Sequence, residues 1–413
     1  MSQLIRPSHR RFLHKRFDTC SLFLARNKRI SSLSIEDEKV VDRLAHGILG
    51  RHKRIDGVGG YMKSSQVMMR QRIALSKSIT MVESKSPKRR MMADSLLHGL
   101  MKSSSSSTPK SSFRLGLGGS PGAGKSSLVE RLGLYVLGLD EKEQKDAFCP
   151  QKVAVLAIDP SSHISGGSIM GDKTRMSQLS CHPNAYVRPS PSSGVLGGLA
   201  AYTYDAASLC EYANFDLTII ETVGVGQSEI ELAECCDLFL LLLPPGGGDE
   251  LQGSKKGIVE VADVLVVNKA DGELKDVARK TANEYKKAVG LLRKPAGWWG
   301  SGEHDDECSA TFSPPVILVS AKTGFGIPEL WALIQTYRDL GTSNGYIDQK
   351  RRKQRHYWLT KYLREHVLEA AANDDVARQR KKEIESDLDN GLILPRIAAS
   401  QLWQILSSRS RNE

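Results

Sequence analysis

Six runs of strongly apolar character organise the middle of the chain: FRLGLG (113–118), VAVLAID (153–159), LTIIE (217–221), LFLLLL (238–243), VLVVN (264–268) and VILVSA (316–321). Most lack the polar–apolar alternation of a strand with one wet face, so they belong to strands covered on both sides. Most are separated by segments long enough for a helix. The expected fold is therefore α/β, a mostly parallel, doubly wound sheet. In such sheets ligands bind beyond the carboxyl ends of the strands. The longest apolar stretch, DLFLLLLPP (237–245), closes on proline and falls short of the ~18 residues a transmembrane helix requires. No membrane insertion is expected.

The first run leads directly into GSPGAGKSS (119–127), which fits the P-loop pattern G-x-x-x-x-G-K-[ST]. Gly119, Ser120, Pro121, Gly122, Ala123, Gly124, Lys125, Ser126 and Ser127 are the candidate phosphate-side residues. The glycines let backbone N–H groups turn toward phosphate oxygens, Lys125 brings a charge to the β/γ-phosphates, and Ser126 offers a hydroxyl to Mg²⁺. The apolar segment LVERLGLYVLGL that follows predicts a helix whose positive end lies under the phosphates. Strand, loop and helix together define a P-loop NTPase.

The base is legible further on. The fifth run ends in NKAD (268–271) and the sixth in SAK (320–322). A carboxylate at Asp271 can accept from the ring N–H and the exocyclic amine of guanine, a pair adenine lacks. Lys269 can lay its stem along the base and Asn268 can tie the loop. In the Ser320–Ala321–Lys322 segment a backbone N–H can donate to the guanine carbonyl. The expected ligand is GTP.

Glu221 ends the third run and is followed by TVGVGQSE. A carboxylate at the end of a core strand beside a P-loop holds Mg²⁺, often through water, and the glycine turn beyond it can meet the γ-phosphate. Gly224 and Gln227 then lie in a segment that orders with GTP and relaxes with GDP. Asp159 in AIDPSS is either a metal ligand or a helix cap. Asp172 in SGGSIMGDKTRM is either a switch residue at the metal or a solvated loop charge. Lys125, Asp159 and Glu221 are the candidate catalytic residues for Mg²⁺-assisted transfer of the phosphoryl group to water. Gln227 and Gln252 are both chemically able to orient that water.

The net charge of +11 is unevenly placed: +15 over 1–112, −8 over 113–340 and +4 beyond. The acidic balance around the motifs argues against nucleic-acid binding. Residues 1–35 are basic and hydroxyl-rich, with Asp18 the sole acid before Glu36, and are read as a mitochondrial transit peptide rather than a plain basic tail. That places the protein in the matrix. A helical region follows at 36–101, with Val40, Val41, Leu44 and Ile48, then Ile73, Leu75, Ile79, Met81 and Val82, at helix-like spacing. A hydroxyl-rich linker is expected at 102–112, the GTPase domain at 113–340 and a helical arm at 341–413. The seven cysteines show no CxxC pair, which fits a reducing compartment. The adjacent Cys235 and Cys236 are either ordinary buried cysteines or a functional thiol pair.

The ordered set GSPGAGKSS, VAVLAIDPSS, SGGSIMGDKTRM, RPSPSSGVLGG, ETVGVGQSE, PGGGDELQGSKKGI, NKADG and SAKTGFGI closely resembles the GTPases associated with methylmalonyl-CoA mutase, the family of the methylmalonic aciduria type A protein. The resemblance is strong over 72–340. It implies a GTP-dependent chaperone that binds the mutase, gates adenosylcobalamin delivery from a cobalamin adenosyltransferase and helps eject damaged cofactor. It also implies a homodimer built through the C-terminal arm, where Trp358, Leu359, Tyr362, Leu363 and Val367 share a helix face. The segment 246–257, with Asp249, Glu250, Gln252 and Lys255, matches the family's third switch, which faces the partner. His163 stands where many members have proline, Ser254 where they have an apolar residue, and 51–71 is an unfamiliar insertion. The alternatives are a metal-delivery GTPase, for which His163, Cys181 and His182 are too scattered, a transport-associated kinase with no visible phosphoacceptor site, and a nucleotide-switched scaffold without turnover.

Overall fold

The computed structural model describes residues 33–50, 64–104, 112–138, 148–159, 176–191, 201–222, 227–246, 256–290, 313–373 and 375–409. Two compact units result, Met1–Asp348 and Gln349–Glu413.

The first unit is built on a seven-stranded sheet of β1 (Phe113–Gly119), β2 (Val153–Asp159), β3 (Ala185–Pro191), β4 (Leu217–Glu221), β5 (Leu238–Leu243), β6 (Val264–Val267) and β7 (Val316–Leu318). Their order is β3-β2-β4-β1-β5-β6-β7, and every pairing is parallel. From β1 the chain runs out to β2 and the β3 edge, returns to lay β4 beside β1, and then adds β5, β6 and β7 on the other side, so a crevice opens at the carboxyl end of β1, between β4 and β5. That crevice is where this topology places a ligand.

All six apolar runs are strands, though VLVVN stops at Val267, VILVSA at Leu318, and FRLGLG continues through Gly119. The seventh, β3, is not among the runs. Its sequence, AYVRPSP, holds two prolines and an arginine. Proline cannot donate to a sheet ladder, which confines such a strand to an edge. β3 pairs with β2 alone among the strands.

The amino ends of the strands share one device. Asp237, just before β5, accepts from the N–H of Arg114 at 2.8 Å. Asp263, before β6, accepts from Phe239 N–H at 2.8 Å. Asp216, before β4, takes Gln151 and Lys152 N–H at 2.9 and 3.0 Å. Donors at the start of each neighbouring strand are thereby satisfied inside the protein, avoiding the cost of burying them unpaired.

Helices cover both faces. The cluster under α4 (Lys125–Leu137) and α10 (Ile327–Ser343) gathers Leu128, Leu132, Leu330, Trp331 and Ile334 against Leu115, Leu117, Ile219 and Leu240. Each fully buried side chain of this size stabilises the fold by about 1.5–3 kcal/mol. On the other face Arg114 of β1 is buried, its Nε and Nη2 donating to Glu211 of α6 (Ala201–Tyr212) at 2.9 and 2.6 Å, with the Tyr204 ring 4.8 Å away. Burial opposes the guanidinium charge, but the Glu211 carboxylate outweighs it and raises the pKa well above its usual value. Cys210, Cys235 and Cys236 are wholly buried. Burial pushes the Cys235 thiol up to about 12, the behaviour of core cysteines rather than a reactive pair.

The N-terminal helices belong to this unit. In α1 (Ile35–Ile48) Ser34 and Asp37 form a reciprocal capping box, and Val41, Leu44 and Ile48 are buried. α2 (Ser64–Val82) buries Leu75, Ile79 and Met81 but leaves Ile73 exposed. It holds the β3 edge through side chains: Arg188 of β3 pairs with Glu83 and donates to Ser76 Oγ and Thr80 Oγ1, and Arg72 donates to the His182 and Ala185 carbonyls. α3 (Pro87–Ser104) takes in the start of the hydroxyl-rich stretch. Among the described residues this unit also contains α5 (Ser177–Cys181), α7 (Gln227–Ala233), α8 (Lys256–Val261), a 3-10 turn at Gly272–Leu274 and α9 (Lys275–Val289).

In the second unit, α11 (Tyr346–Asn373) carries most of its length, followed by α12 (Asp375–Asp389) and α13 (Pro395–Arg409). Trp358 is buried, with Tyr357 edge-on at 5.5 Å, Tyr362 at 6.4 Å and Lys361 Nζ 5.1 Å from its ring centre. Leu359 and Leu363, one turn apart, are exposed. No helix among the described residues is long and apolar enough to cross a membrane.

Candidate functional site

The crevice at the end of β1 contains the loop 119–127. Gly119 has φ 140, and a Cβ there would fall 2.1 Å from the Leu242 carbonyl of β5. Gly124 has φ 92 and caps α4 from the left-handed region, where a Cβ would come within 2.5 Å of Asn268 Nδ2. Only glycine satisfies both demands. Pro121 and Gly122 form the exposed tip, Ser120 and Ala123 are buried, and Ser127 is exposed. Lys125 is buried at the first turn of α4, its Nζ donating to the Gly119 and Ser120 carbonyls at 2.7 and 3.0 Å. The loop thus curls around an ammonium at the positive end of a helix, an arrangement suited to phosphate.

Glu221 is brought beside this loop by strand pairing, which sets it opposite Leu117 of β1. Ser126 Oγ donates to Glu221 Oε1 at 2.7 Å, and the carboxylate is buried. The pair consists of hard oxygen donors, the chemistry Mg²⁺ requires when phosphates and waters supply its other ligands. Among the described residues no group of three or more His, Cys, Asp or Glu gathers into a metal cluster. Asp159 closes β2, two residues past the position opposite Glu221. Gln227 begins α7. Asp172, Gly224, Asp249, Glu250, Gln252 and Lys255 lie outside the described residues, as do His163, Ser254, the basic segment before 33 expected to be a transit peptide, and most of the 51–71 segment.

On the other side of the crevice the two base motifs converge. Asn268 Nδ2 donates to the Ala123 carbonyl of the phosphate loop at 2.9 Å, and its Oδ1 accepts from Ala321 N–H at 3.0 Å. One buried amide therefore ties phosphate loop, NKAD and SAK together. Ser320 Oγ donates to Asp271 Oδ1 at 2.6 Å, aligning the carboxylate. Lys269 adopts φ 58, a left-handed backbone uncommon outside glycine, asparagine and aspartate. Lys322 is exposed.

Two contributors have no motif signal. Arg131 of α4 donates from Nε to the Ala321 carbonyl at 3.0 Å and from Nη2 to the Lys322 carbonyl at 2.9 Å. Glu130 accepts from Gln178 N–H at 2.8 Å at the start of α5. Both act on backbone groups far away in sequence, so no residue type at a fixed spacing announces them.

Enzymes that pair a lysine-bearing glycine loop on the central strand with NKxD and SAK loops on the strands beyond it are P-loop GTPases, and this chain is one. Residues 75–375 match the family described as "Methylmalonyl Co-A mutase-associated GTPase MeaB". The mouse "Methylmalonic aciduria type A homolog, mitochondrial" is 38% identical over 382 residues, 91% of this chain and 82% of its own. The Escherichia coli "GTPase ArgK" is 37% identical over 342 residues, 82% of this chain and 94% of its own. A crystal structure described as a LAO/AO transport system kinase superposes with TM-score 0.58 at 28% identity, covering 91% of this chain and 100% of that one. The chain belongs to the MeaB family of methylmalonyl-CoA mutase-associated GTPases.

Proposed function

We propose that this GTPase is a chaperone of methylmalonyl-CoA mutase that gates adenosylcobalamin delivery from a cobalamin adenosyltransferase and protects the mutase. It works as a homodimer in the mitochondrial matrix. The observation that carries the reading is the mutase-associated family match over 75–375, which spans both the nucleotide crevice and all of α11. The basic segment 1–35 and the mitochondrial designation of the mouse relative support the compartment. The exposed Leu359 and Leu363 support self-association through α11.

In this reading the N–H groups of residues 119–127 cradle the phosphates, and Lys125 exchanges its two carbonyl partners for phosphate oxygens. Asp271 accepts from the guanine amine and ring N–H, Lys269 covers the base, and the 320–322 backbone donates to its carbonyl. Ser126 and Glu221 would hold Mg²⁺, with Asp159 and Asp172 contributing. When bound, the ion neutralises charge on the β- and γ-phosphates. Glu221 orients a hydrogen-bonded hydroxyl or water beside the phosphate loop and fixes the start of the switch through Gly224. Gln227 and Gln252 are the candidates for orienting the attacking water. Asp249, Glu250 and Lys255 face the partner.

The test is retention of purified methylmalonyl-CoA mutase on the immobilised full chain with a non-hydrolysable GTP analogue and with GDP. Nucleotide-dependent retention is expected. Equal absence of binding in both states overturns the chaperone role while leaving the GTPase assignment intact.

A further inference from the structure

We propose that Arg131 is a specificity-determining positioning residue, which fixes the Ala321–Lys322 peptide so that the Lys322 N–H reads the 6-oxo group of guanine. The proposal rests on the guanine reading of residues 268–271 and 320–322 given above.

The backbone donors of the loop are nearly all engaged. Ser320 N–H goes to the Phe325 carbonyl, Gly324 N–H to the Ser320 carbonyl, Thr323 N–H to Ser320 Oγ and Ala321 N–H to Asn268 Oδ1. The Lys322 N–H is the one backbone donor from 320 to 324 that meets no acceptor among the described residues. It belongs to the same peptide unit as the Ala321 carbonyl. That unit is planar and trans, so its N–H points away from the edge that carries the oxygen. Arg131 grips the oxygen edge with Nε and takes the next carbonyl, Lys322 O, with Nη2.

The guanidinium is a planar fork that presents parallel donors, which matches two successive carbonyls better than any other side chain. Its charge also polarises the peptide it holds, strengthening the opposite N–H as a donor. Arg131 stands on α4, the helix that begins at Lys125. A closed circuit therefore runs from the Ala123 carbonyl through Asn268, Ala321 and Arg131 back into the phosphate-loop helix. Base and phosphate are read by parts of one rigid ring.

The test compares dissociation constants of the full chain for three nucleotides. GTP carries the 6-oxo group, the ring N–H and the amine; ITP keeps the first two without the amine, and 2-aminopurine riboside triphosphate keeps the amine but lacks both the 6-oxo group and the ring N–H. In Arg131→Ala, binding of GTP and ITP should each weaken about tenfold, the loss typical of a charge-assisted hydrogen-bonded prop. The GTP-to-ITP ratio should stay constant because Asp271 is untouched, and 2-aminopurine riboside triphosphate should bind as before. Arg131→Gln, which keeps one donor, should fall between, and thermal melts of both variants should match the parent. Equal weakening of all three nucleotides, or no change in any, overturns the role of Arg131. A parent protein that does not distinguish GTP from 2-aminopurine riboside triphosphate overturns the guanine reading itself, and the proposal with it.

Discussion

Ser126 Oγ and Glu221 Oε1 lie 2.7 Å apart, though the residues are 95 positions apart in the chain. The contact joins the first turn of the phosphate-loop helix to the last residue of the neighbouring strand. It also sets a hydroxyl and a carboxylate, both ordinary partners of a hard cation, at the entrance to the 223–226 segment.

If Glu221 serves that cation, Glu221→Gln should retain GTP but slow single-turnover hydrolysis roughly a hundredfold, the effect of losing one transition-state interaction of a few kcal/mol. The amide keeps an acceptor for Ser126 and removes the negative charge. A thermal melt at saturating Mg²⁺ should be nearly unchanged. A normal rate with a lowered melting point would retire the catalytic role.

Lys125→Ala removes the ammonium around which the loop curls, along with its bonds to the Gly119 and Ser120 carbonyls. Affinity for GTP should fall at least about a hundredfold, near 2.8 kcal/mol, while circular dichroism shows the sheet intact. Calorimetry giving the parent affinity would remove the phosphate assignment.

Asp271→Asn should exchange guanine for xanthine preference, because the amide presents a donor where xanthine has a carbonyl. The Ser320 hydroxyl can still donate to the remaining oxygen, so the loop keeps its shape. Competition between GTP and XTP decides the matter: continued selection of GTP by the variant rejects Asp271 as the base reader.

Arg114→Ala leaves the half-buried Glu211 beside β1 without its cation and should lower unfolding free energy by about 1.5–3 kcal/mol, the worth of hydrogen bonds to a charged group. Replacing both partners by leucine should recover much of the loss. Nucleotide affinity per folded molecule should not change, because the pair lies on the opposite face from α4. A urea midpoint indistinguishable from the parent would contradict this account.

Alkylation at pH 8 should label Cys181, which is exposed, while Cys210, Cys235 and Cys236 stay protected until the chain unfolds. A thiol held near 12 by burial, as at Cys235, has about one molecule in ten thousand ionised at that pH, and the thiolate is the reacting species. Rapid native-state labelling of Cys235 by mass spectrometry would show that the core opens there.

Much of this molecule was local information. Apolar runs mark β1, with Arg114 its one charge, and β2 and β4 to β7, because a strand covered on both faces has little place for polar alternation. GSPGAGKSS marks its loop because the turns at Gly119 and Gly124 exclude a side chain, and NKAD and SAK mark the base because guanine demands particular donors and acceptors. Other features depended on pairing between distant segments. β3 carries two prolines and becomes a strand because its place at the sheet edge, held by Arg72 and Arg188, tolerates them. Glu221 meets Ser126 because β4 pairs with β1 in a register that sets Leu117 opposite it. Asp216, Asp237 and Asp263 cap neighbouring strands, and Arg131 grips two carbonyls of a loop 190 positions away. A hydrogen bond to a backbone group asks for no particular residue at the far end, so such contacts leave no paired signature in the sequence and are decided only when the sheet closes.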